Sequence, residues 1–260
     1  MLLTGLIYPF LISFFLSLPR LYGFFLLLPL INKSLTGHRL IYNAIVLSLG
    51  LFVRQSLPPL LPELTPWVFF FIILRELFTG LLLGVIAVVP FWAIEAAGQF
   101  IDQQRGATAG SILNPLSGQQ ASLTGILFTQ YLILFYLTSG LFFQLLTLFF
   151  RSLIWYPITA SDFPFPATLL PLFYGLLSLY SHAVINFALP LIIPMYLTEM
   201  ALAFINKFVP ALNVFVIAMP LKSAVALFVA TGYIMLVNEP LTALLKETFT
   251  LITRLNMPLL

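Results

Sequence analysis

Six long apolar segments constrain the fold of this chain more than any other feature of its sequence. They fall at about residues 5–31, 40–57, 67–94, 122–150, 168–198 and 211–237. A helix needs about 20 apolar residues to cross a bilayer, so each segment can supply one span, although the second is marginal. Their Leu, Ile and Phe residues run on almost without a polar stripe, which is typical of helices surrounded by lipid or protein. We therefore predict an all-α membrane protein.

Composition narrows the function classes. Only 7% of the 260 residues are charged, against about 25% in soluble domains. The net charge of +3 is too small to indicate a nucleic-acid surface, so we expect no nucleic-acid partner. Cysteine is absent, which excludes disulfides and thiolate chemistry. Residues 1–19 have no basic residue before the apolar run and no small-residue cleavage site after it, which indicates a retained first helix. We predict one membrane domain covering residues 1–260.

Prolines predict that these helices are interrupted. Seven lie within or close to the apolar segments: Pro9, Pro19, Pro29, Pro90, Pro190, Pro194 and Pro220. Each removes an amide donor and bends or breaks a helix, and broken backbone at membrane depth requires protein or a water-filled cavity around it. The basic loop residues are also divided equally between the two sides of six straight spans, so they favour neither orientation. Both observations favour short helical hairpins packed in an assembly.

Four charged residues interrupt the apolar segments: Arg20, Arg75, Glu76 and Lys222. A charge in the middle of a membrane helix costs about 2.5–3.5 kcal/mol, so it needs a partner or a wet cavity. Arg75 and Glu76 project about 100° apart on a helix, and we expect each to find its own partner. The alternative for Arg20 and Arg75 is that they mark helix ends and reach the interface.

A polar segment at residues 95–120 follows an uncharged stretch at 77–94, and the chain carries no charge again from 106 to 150. It begins with Glu95, Asp102 and Arg105, and the spacing of the last two predicts an ion pair on one helix face. An uncharged loop follows, made of Gly106, Ala107, Thr108, Ala109, Gly110, Ser111, Ile112, Leu113, Asn114, Pro115, Leu116, Ser117, Gly118, Gln119 and Gln120. Its glycines give access to positive φ, its polar residues can face water and its aliphatic ones can seal against apolar neighbours. The residues alone favour a plain flexible connector.

Two further patterns predict contacts between helices. Gly80 and Gly84 form a G-x-x-x-G motif, which lets two helix backbones approach closely. Glu199, Lys207 and Lys222 flank apolar hairpin segments. These charges can pair with one another or with charges on adjacent subunits.

The residues needed for catalysis are missing. The two histidines, His38 and His182, lie far apart, and no metal-binding spacing, phosphate-binding loop or nucleophile elbow is present. We therefore expect no enzymatic activity, no cofactor and no metal. An intramembrane hydrolase that combines distant residues is the remaining enzymatic alternative.

Three stretches carry a family resemblance. IDQQRGATAGSILNPLSG at 101–118, INKFVPALNVFVIAMPLKS at 205–223 and R-x-x-G-F-F-x-x-x-P-L at 20–30 resemble the export-gate subunit called FliR in flagella and SctT in injectisomes. The resemblance covers nearly the whole chain, and the IDxQRGA form at 101–107 is more similar to the injectisome branch.

The resemblance implies a fold and a function. The fold would be broken helices and inverted hairpins, like a fusion of the P/R-type and Q/S-type gate subunits. The protein would be a structural and gating subunit of the type III protein-export channel in the bacterial inner membrane, within the secretion-system base. Its partners would be those two subunit types, the U-type switch subunit, the V-type export subunit, the lipid membrane and unfolded secreted polypeptides. The loop at 106–120 would plug the pore, with Asp102 and Arg105 at its root.

A secondary transporter for a small solute is the alternative from another class. Transporters also use broken helices and charges buried near the membrane midplane. They usually contain two related halves, and no such self-similarity is visible here. Oligomeric behaviour distinguishes the two, because a solute carrier is stable alone and a gate subunit needs its partners.

Overall fold

The computed structural model describes residues 2–31, 39–55, 65–107, 122–158, 169–209 and 213–255, and every regular element within these ranges is helical. In chain order the α-helices are α1 (Leu2–Leu27), α2 (Arg39–Gln55), α3 (Pro66–Gln104), α4 (Leu123–Thr138), α5 (Leu141–Trp155), α6 (Leu169–Phe208), α7 (Val214–Leu236) and α8 (Asn238–Leu255). A short 3₁₀ helix covers Pro29–Ile31. The prediction of an all-α membrane protein is confirmed.

The helices match the apolar segments, but fewer of them can span a membrane than hydropathy predicted. Four helices in the described ranges, α1, α3, α6 and α7, are long and apolar enough to cross a bilayer. The bent pair α4–α5 adds a fifth if the pair is one span. The second apolar segment forms α2, which has 17 residues and is shorter than the roughly 20 that a span needs.

Most of the prolines in the apolar segments do not interrupt the helices. α1, α3, α6 and α7 run through six of the seven prolines, so the prediction of a break is wrong at these six, whereas α1 ends at Leu27, just before Pro29. A proline costs a helix one hydrogen bond, whereas a break exposes up to four donors and four acceptors. The clear break lies at Ser139–Gly140, where α4 and α5 are bent by 76° and Gly140 has φ 75°. This bent pair bears out the prediction of broken helices. Inverted hairpins and the likeness to fused subunits stay predictions.

Two helices are too long to lie wholly within the membrane core. α3 has 39 residues and α6 has 40, which corresponds to about 58–60 Å at a rise of 1.5 Å per residue. The hydrocarbon core is only about 30 Å thick. Even at a tilt of about 40°, each helix would extend beyond it.

The chain divides into two compact units that alternate along the sequence. The first unit comprises Met1–Val89, Tyr136–Phe173 and Thr250–Leu260, and the second comprises Pro90–Phe135 and Tyr174–Phe249. Neither unit is one continuous stretch of sequence. The prediction of a single domain over residues 1–260 stays a prediction.

In the first unit, α1 packs closely on the amino-terminal part of α3 through glycines. A Cβ atom on Gly80 would overlap the backbone of Arg20, and one on Gly84 would lie 2.8 Å from the carbonyl oxygen of Phe24. Gly23 of α1 contributes from the other side, because its Cβ would lie 2.9 Å from the amide nitrogen of Leu81. The G-x-x-x-G motif therefore lies against another helix of the same chain.

In the second unit, the carboxy-terminal part of α3 crosses α4 at two small residues. A Cβ atom on Gly98 would overlap the backbone of Gly125. Ala97 and Ile101 of α3 are buried, as is Leu132 of α4. The close approach brings the end of α3 to the start of α4, which are the two ends of the uncharged loop.

Candidate functional site

The uncharged loop leaves α3 through a defined helix end. α3 ends at Gln104, and Gly106 follows with φ 79°. The amide of Gly106 donates to the carbonyl oxygen of Gln103 at 3.0 Å, and the amide of Ala107 donates to the carbonyl oxygen of Asp102 at 3.0 Å. These two bonds form a Schellman motif, in which glycine takes the left-handed position. The remaining loop residues, 108–120, lie outside the described residues.

The chain returns to α4 through an equally defined helix start. Ser122 is the N-cap residue, since its hydroxyl accepts a hydrogen bond of 2.9 Å from the amide of Gly125. The same hydroxyl donates to Oδ2 of Asp102 at 2.6 Å. Both ends of the loop therefore reach the same residue of α3.

Asp102 is the centre of this arrangement. Its carboxylate accepts bonds from the Thr124 hydroxyl at 2.5 Å and the Thr124 amide at 3.1 Å, and it pairs with Nη2 of Arg105 at 2.7 Å. Asp102 is only 3% exposed. A carboxylate at a helix N-terminus is stabilised by the unpaired amides there and by the helix dipole. We call Asp102, Arg105, Ser122 and Thr124 the root cluster.

Sequence spacing identified half of the root cluster. Asp102 and Arg105 form an ion pair on one helix face, as their i,i+3 spacing predicts. Ser122 and Thr124 were missed, because they join Asp102 only through the crossing of α3 and α4. Ser122 immediately before a helical apolar run was the available signal. The functional role of the cluster stays a prediction.

A second contact holds the end of α3 to α6 and α7 within the same unit. Oε2 of Glu199 on α6 accepts from the side-chain amide of Gln104 at 3.2 Å and from Nζ of Lys222 on α7 at 3.2 Å. The Lys222 side chain is 10% exposed and that of Glu199 is 49% exposed. Lys222 and Glu199 thus pair within the chain, one of the two arrangements that the sequence allowed.

Two predicted site residues stand apart from these contacts. Glu95 on α3 and Lys207 in the last turn of α6 are exposed. Neither forms an ion pair with another residue in the described ranges. Their predicted contacts with other subunits stay a prediction.

The first unit contains a buried charge cluster made of three residues that the sequence analysis singled out as needing partners, although their contact with one another was not predicted. Glu76 accepts from Nε of Arg20 at 2.7 Å with one carboxylate oxygen and from Nη2 of Arg75 at 3.0 Å with the other. Each residue has a partner of its own, as expected, since Glu76 binds Arg20 and Arg75 binds the carbonyl oxygen of Ile158. The two also bind each other, which was not expected, because the long arginine side chain reaches its neighbour despite the angle between them. Arg20 is 1% exposed, so the interpretation that it reaches the interface is wrong.

Both arginines also hold the end of α5 and the turn beyond it. Arg20 donates to the carbonyl oxygens of Ser152 at 2.9 Å and Tyr156 at 2.7 Å, and Arg75 donates to that of Ile158 at 2.6 Å. Carbonyl groups at a helix C-terminus lack helical partners and favour cations. The Ser152 carbonyl also accepts the amide of Tyr156, whereas Tyr156 and Ile158 lie beyond the end of α5. The cluster therefore holds the end of α5 and the residues after it, and we assign it a structural role.

The described residues offer little to a metal or a cofactor. No group of three or more His, Asp or Glu side chains lies close enough to hold a metal ion in the described part of the chain. The second unit contains a cavity of about 480 Å³ with mostly aliphatic walls, among them Ile94, Leu127 and Leu191. Arg105 and Thr124 of the root cluster also line it. This lining brings together no pair of groups suited to acid–base or nucleophilic chemistry.

Known proteins match nearly the full length of the chain. The family model for bacterial export proteins, family 1, matches residues 11–248. The Yop proteins translocation protein T of Yersinia pestis is 41% identical over 228 residues, which cover 86% of this chain and 87% of the relative. The secretion system apparatus protein SsaT of Salmonella typhimurium is 32% identical over 208 residues, covering 78% and 79%. The flagellar biosynthetic protein FliR of Bacillus subtilis is 28% identical over 242 residues, covering 91% and 92%.

Proposed function

The chain belongs to family 1 of the bacterial export proteins, in its injectisome branch, and we propose that it is a structural and gating subunit of a type III protein-export channel. It lies in the bacterial inner membrane, within the base of the secretion system. Unfolded secreted polypeptides pass through the channel that it helps to form. The names of the Yersinia and Salmonella relatives, a translocation protein and a secretion apparatus protein, support this role.

The observation that carries the gating role is the double use of Asp102. Its backbone carbonyl holds the chain where it leaves α3, and its carboxylate holds the chain where it returns to α4. A slack connector between two helices needs no such closure. A loop whose two ends are held at one buried residue has a fixed base, which is what a stopper in a pore requires.

The composition of the loop suits this role. Residues 106–120 carry no charge, so the loop has no strong electrostatic preference among the chains that displace it. Its mixture of aliphatic and small polar residues can close a pore by limiting the wet cross-section. We therefore propose that the loop plugs the closed channel and that the root cluster fixes its position.

The proposed partners are the other subunits of the export apparatus. We propose that it assembles with the P/R-type and Q/S-type gate subunits, and that the U-type and V-type subunits adjoin the assembly. We propose no enzymatic activity and no cofactor, so the energy for export is supplied by other components.

Ion conductance of the assembled gate tests the proposal. Residues 108–120 are replaced by a Gly/Ser segment of equal length, which keeps the connection and removes the aliphatic side chains. We expect increased leakage across membranes that contain the co-expressed complex, with the complex intact on purification. Unchanged conductance in an intact complex would show that the loop is a connector.

A further inference from the structure

We propose that the apolar cavity of the second unit binds one acyl chain of a membrane phospholipid, and that an ester carbonyl oxygen of this lipid accepts a hydrogen bond from Nε of Arg105. The cavity has a volume of about 480 Å³, and its lining residues lie on, or next to the ends of, α3, α4, α6, α7 and α8. This binding would be independent of the plug, because it needs only the helices of one unit.

The cavity has a buried floor and an exposed apolar rim. The floor consists of Ile94 and Ile101 of α3 and of Phe187 and Leu191 of α6, each at most 3% exposed. The rim consists of aliphatic side chains on α4 and α7 that are more than half exposed, namely Leu123, Leu127, Leu227 and Ile234. Hydrocarbon from the bilayer can therefore reach the floor without crossing a polar surface.

The dimensions of the cavity fit a hydrocarbon chain better than a helix. The lining residues extend over positions 94–105 and over positions 226–237, and each stretch is about 16 Å long at 1.5 Å per residue. A volume of about 480 Å³ over this length gives a mean width of about 6 Å, whereas a helix with its side chains is about 10–12 Å wide. An extended peptide is narrower, but its backbone amides and carbonyls would lack partners against aliphatic walls. An acyl chain has no such groups.

One end of the cavity offers a hydrogen-bond donor that needs an acceptor. Among the described residues that line the cavity, Arg105 alone is charged. Its Nη2 pairs with Asp102 at 2.7 Å, whereas its Nε is buried and has no hydrogen-bond partner in the described part of the chain. A buried donor without an acceptor is unfavourable. Because Asp102 already balances the charge of Arg105, a neutral ester carbonyl suffices as the acceptor, and a phospholipid carries this group at one end of an apolar chain.

Packing and this hydrogen bond would hold the lipid in place. An acyl chain gains no hydrophobic free energy when it moves from the bilayer into the cavity, because both surroundings are apolar. It does fill a space whose walls otherwise lack contacts, and it provides the acceptor for Nε. We therefore expect a lipid that exchanges more slowly than the surrounding bilayer and that does not depend on the charge of its head group.

Photo-crosslinking with a labelled phospholipid tests the proposal. The probe is a phosphatidylethanolamine with a diazirine in the middle of one acyl chain, added to membranes that hold the co-expressed assembly, and the crosslinked residues are mapped by mass spectrometry. We expect labelling of Phe187 and Leu191, which ordinary contact with the bilayer does not reach at 2% and 1% exposure. Phosphatidylglycerol with the same label should give the same yield.

Substitutions in the cavity provide matched variants. Ala226 lines the cavity and is 5% exposed, so Ala226→Phe should fill the space and lower floor labelling several-fold. Ala224→Phe is the control, because Ala224 is exposed on the same helix and does not line the cavity. Arg105→Lys keeps a cation for Asp102 but removes the Nε donor, so it should also lower the yield several-fold. The thermal midpoint of each assembly establishes that it is folded, and Ala230→Phe, at a less buried lining position, serves if Ala226→Phe does not assemble.

Three results would overturn the lipid site. The first is labelling of the rim without the floor, and the second is equal floor labelling in the cavity-filling variant and the unaltered assembly. The third is floor labelling of the chain alone that disappears in the co-expressed assembly, which would assign the cavity to a partner subunit. Equal labelling in Arg105→Lys and the unaltered assembly would overturn the hydrogen bond to the ester.

Discussion

Asp102 has two roles because its carbonyl and its carboxylate point to different parts of the chain. The carbonyl belongs to the end of α3 and accepts the amide of Ala107, while the carboxylate crosses to the start of α4. Local spacing predicts the Arg105 pair, since residues three apart share a helix face. It does not predict the Ser122 and Thr124 contacts, which span twenty or more positions and depend on the crossing of two helices.

Substitution of Asp102 tests whether its carboxylate holds the root cluster together. Asp102→Asn keeps the shape but removes the charge, so we expect the free energy of unfolding to fall by about 1.5–3 kcal/mol through weakened charge-assisted bonds. Asp102→Ala leaves Arg105, Ser122 and Thr124 without their acceptor and should be more damaging. The thermal midpoint of the purified assembly and its closed-state conductance measure both effects.

Glu95 provides the matched control for this prediction. It lies on the same helix, is acidic and is exposed, so Glu95→Gln should change neither the midpoint nor the conductance. Equal stability and conductance of Asp102→Ala and Glu95→Gln assemblies would contradict the assignment of Asp102 to the loop root.

At the scale of elements, small residues decide which helices touch. Gly23 and Gly80 bring α1 onto α3, and Gly98 and Gly125 bring α3 onto α4. The sequence shows G-x-x-x-G at 80–84 because both glycines lie on one helix, whereas Gly98 and Gly125 belong to different helices and form no motif. The apolar segments predicted the helices well. The prediction that prolines interrupt the helices was wrong at six positions. A continuous helix that lacks one backbone hydrogen bond costs less free energy than two helix ends with unpaired backbone groups in an apolar setting.

Alanine substitution of helical glycines tests whether small residues are needed where α3 crosses α4. Gly98→Ala would force its methyl group into the backbone of Gly125, so the helices must separate and the root cluster must loosen. We expect a lower thermal midpoint together with increased leakage. A Cβ at Gly232 of α7 would meet nothing within 4 Å in the chain alone. In the separately purified chain Gly232→Ala should therefore be neutral or stabilising by up to about 1 kcal/mol, because alanine favours helix. A Gly98→Ala chain as stable as the Gly232→Ala chain would show that the crossing tolerates separation.

At the scale of the whole molecule, the chain leaves much of its apolar surface without cover. In the most apolar 18-residue stretch of each helix, only 22% is buried for α6 and 17% for α7, against 61% for α3. Large side chains such as Phe208, Phe228 and Met235 are more than three-quarters exposed, at 81%, 81% and 82%. Large apolar side chains exposed in such numbers indicate contact with lipid or with another protein.

The uncovered helices predict how the chain behaves with and without partners. Lipid or detergent can cover an apolar face, but only a partner subunit adds fitted contacts that raise stability by binding the folded state alone. We expect the chain expressed by itself to unfold at a lower temperature in detergent than the same chain co-expressed with P/R-type and Q/S-type subunits. The measurement is the thermal midpoint of each sample, with size-exclusion chromatography to establish its composition. A small-solute transporter would instead be a stable monomer or homodimer with the same midpoint in both samples, because its α6 and α7 faces would meet only lipid.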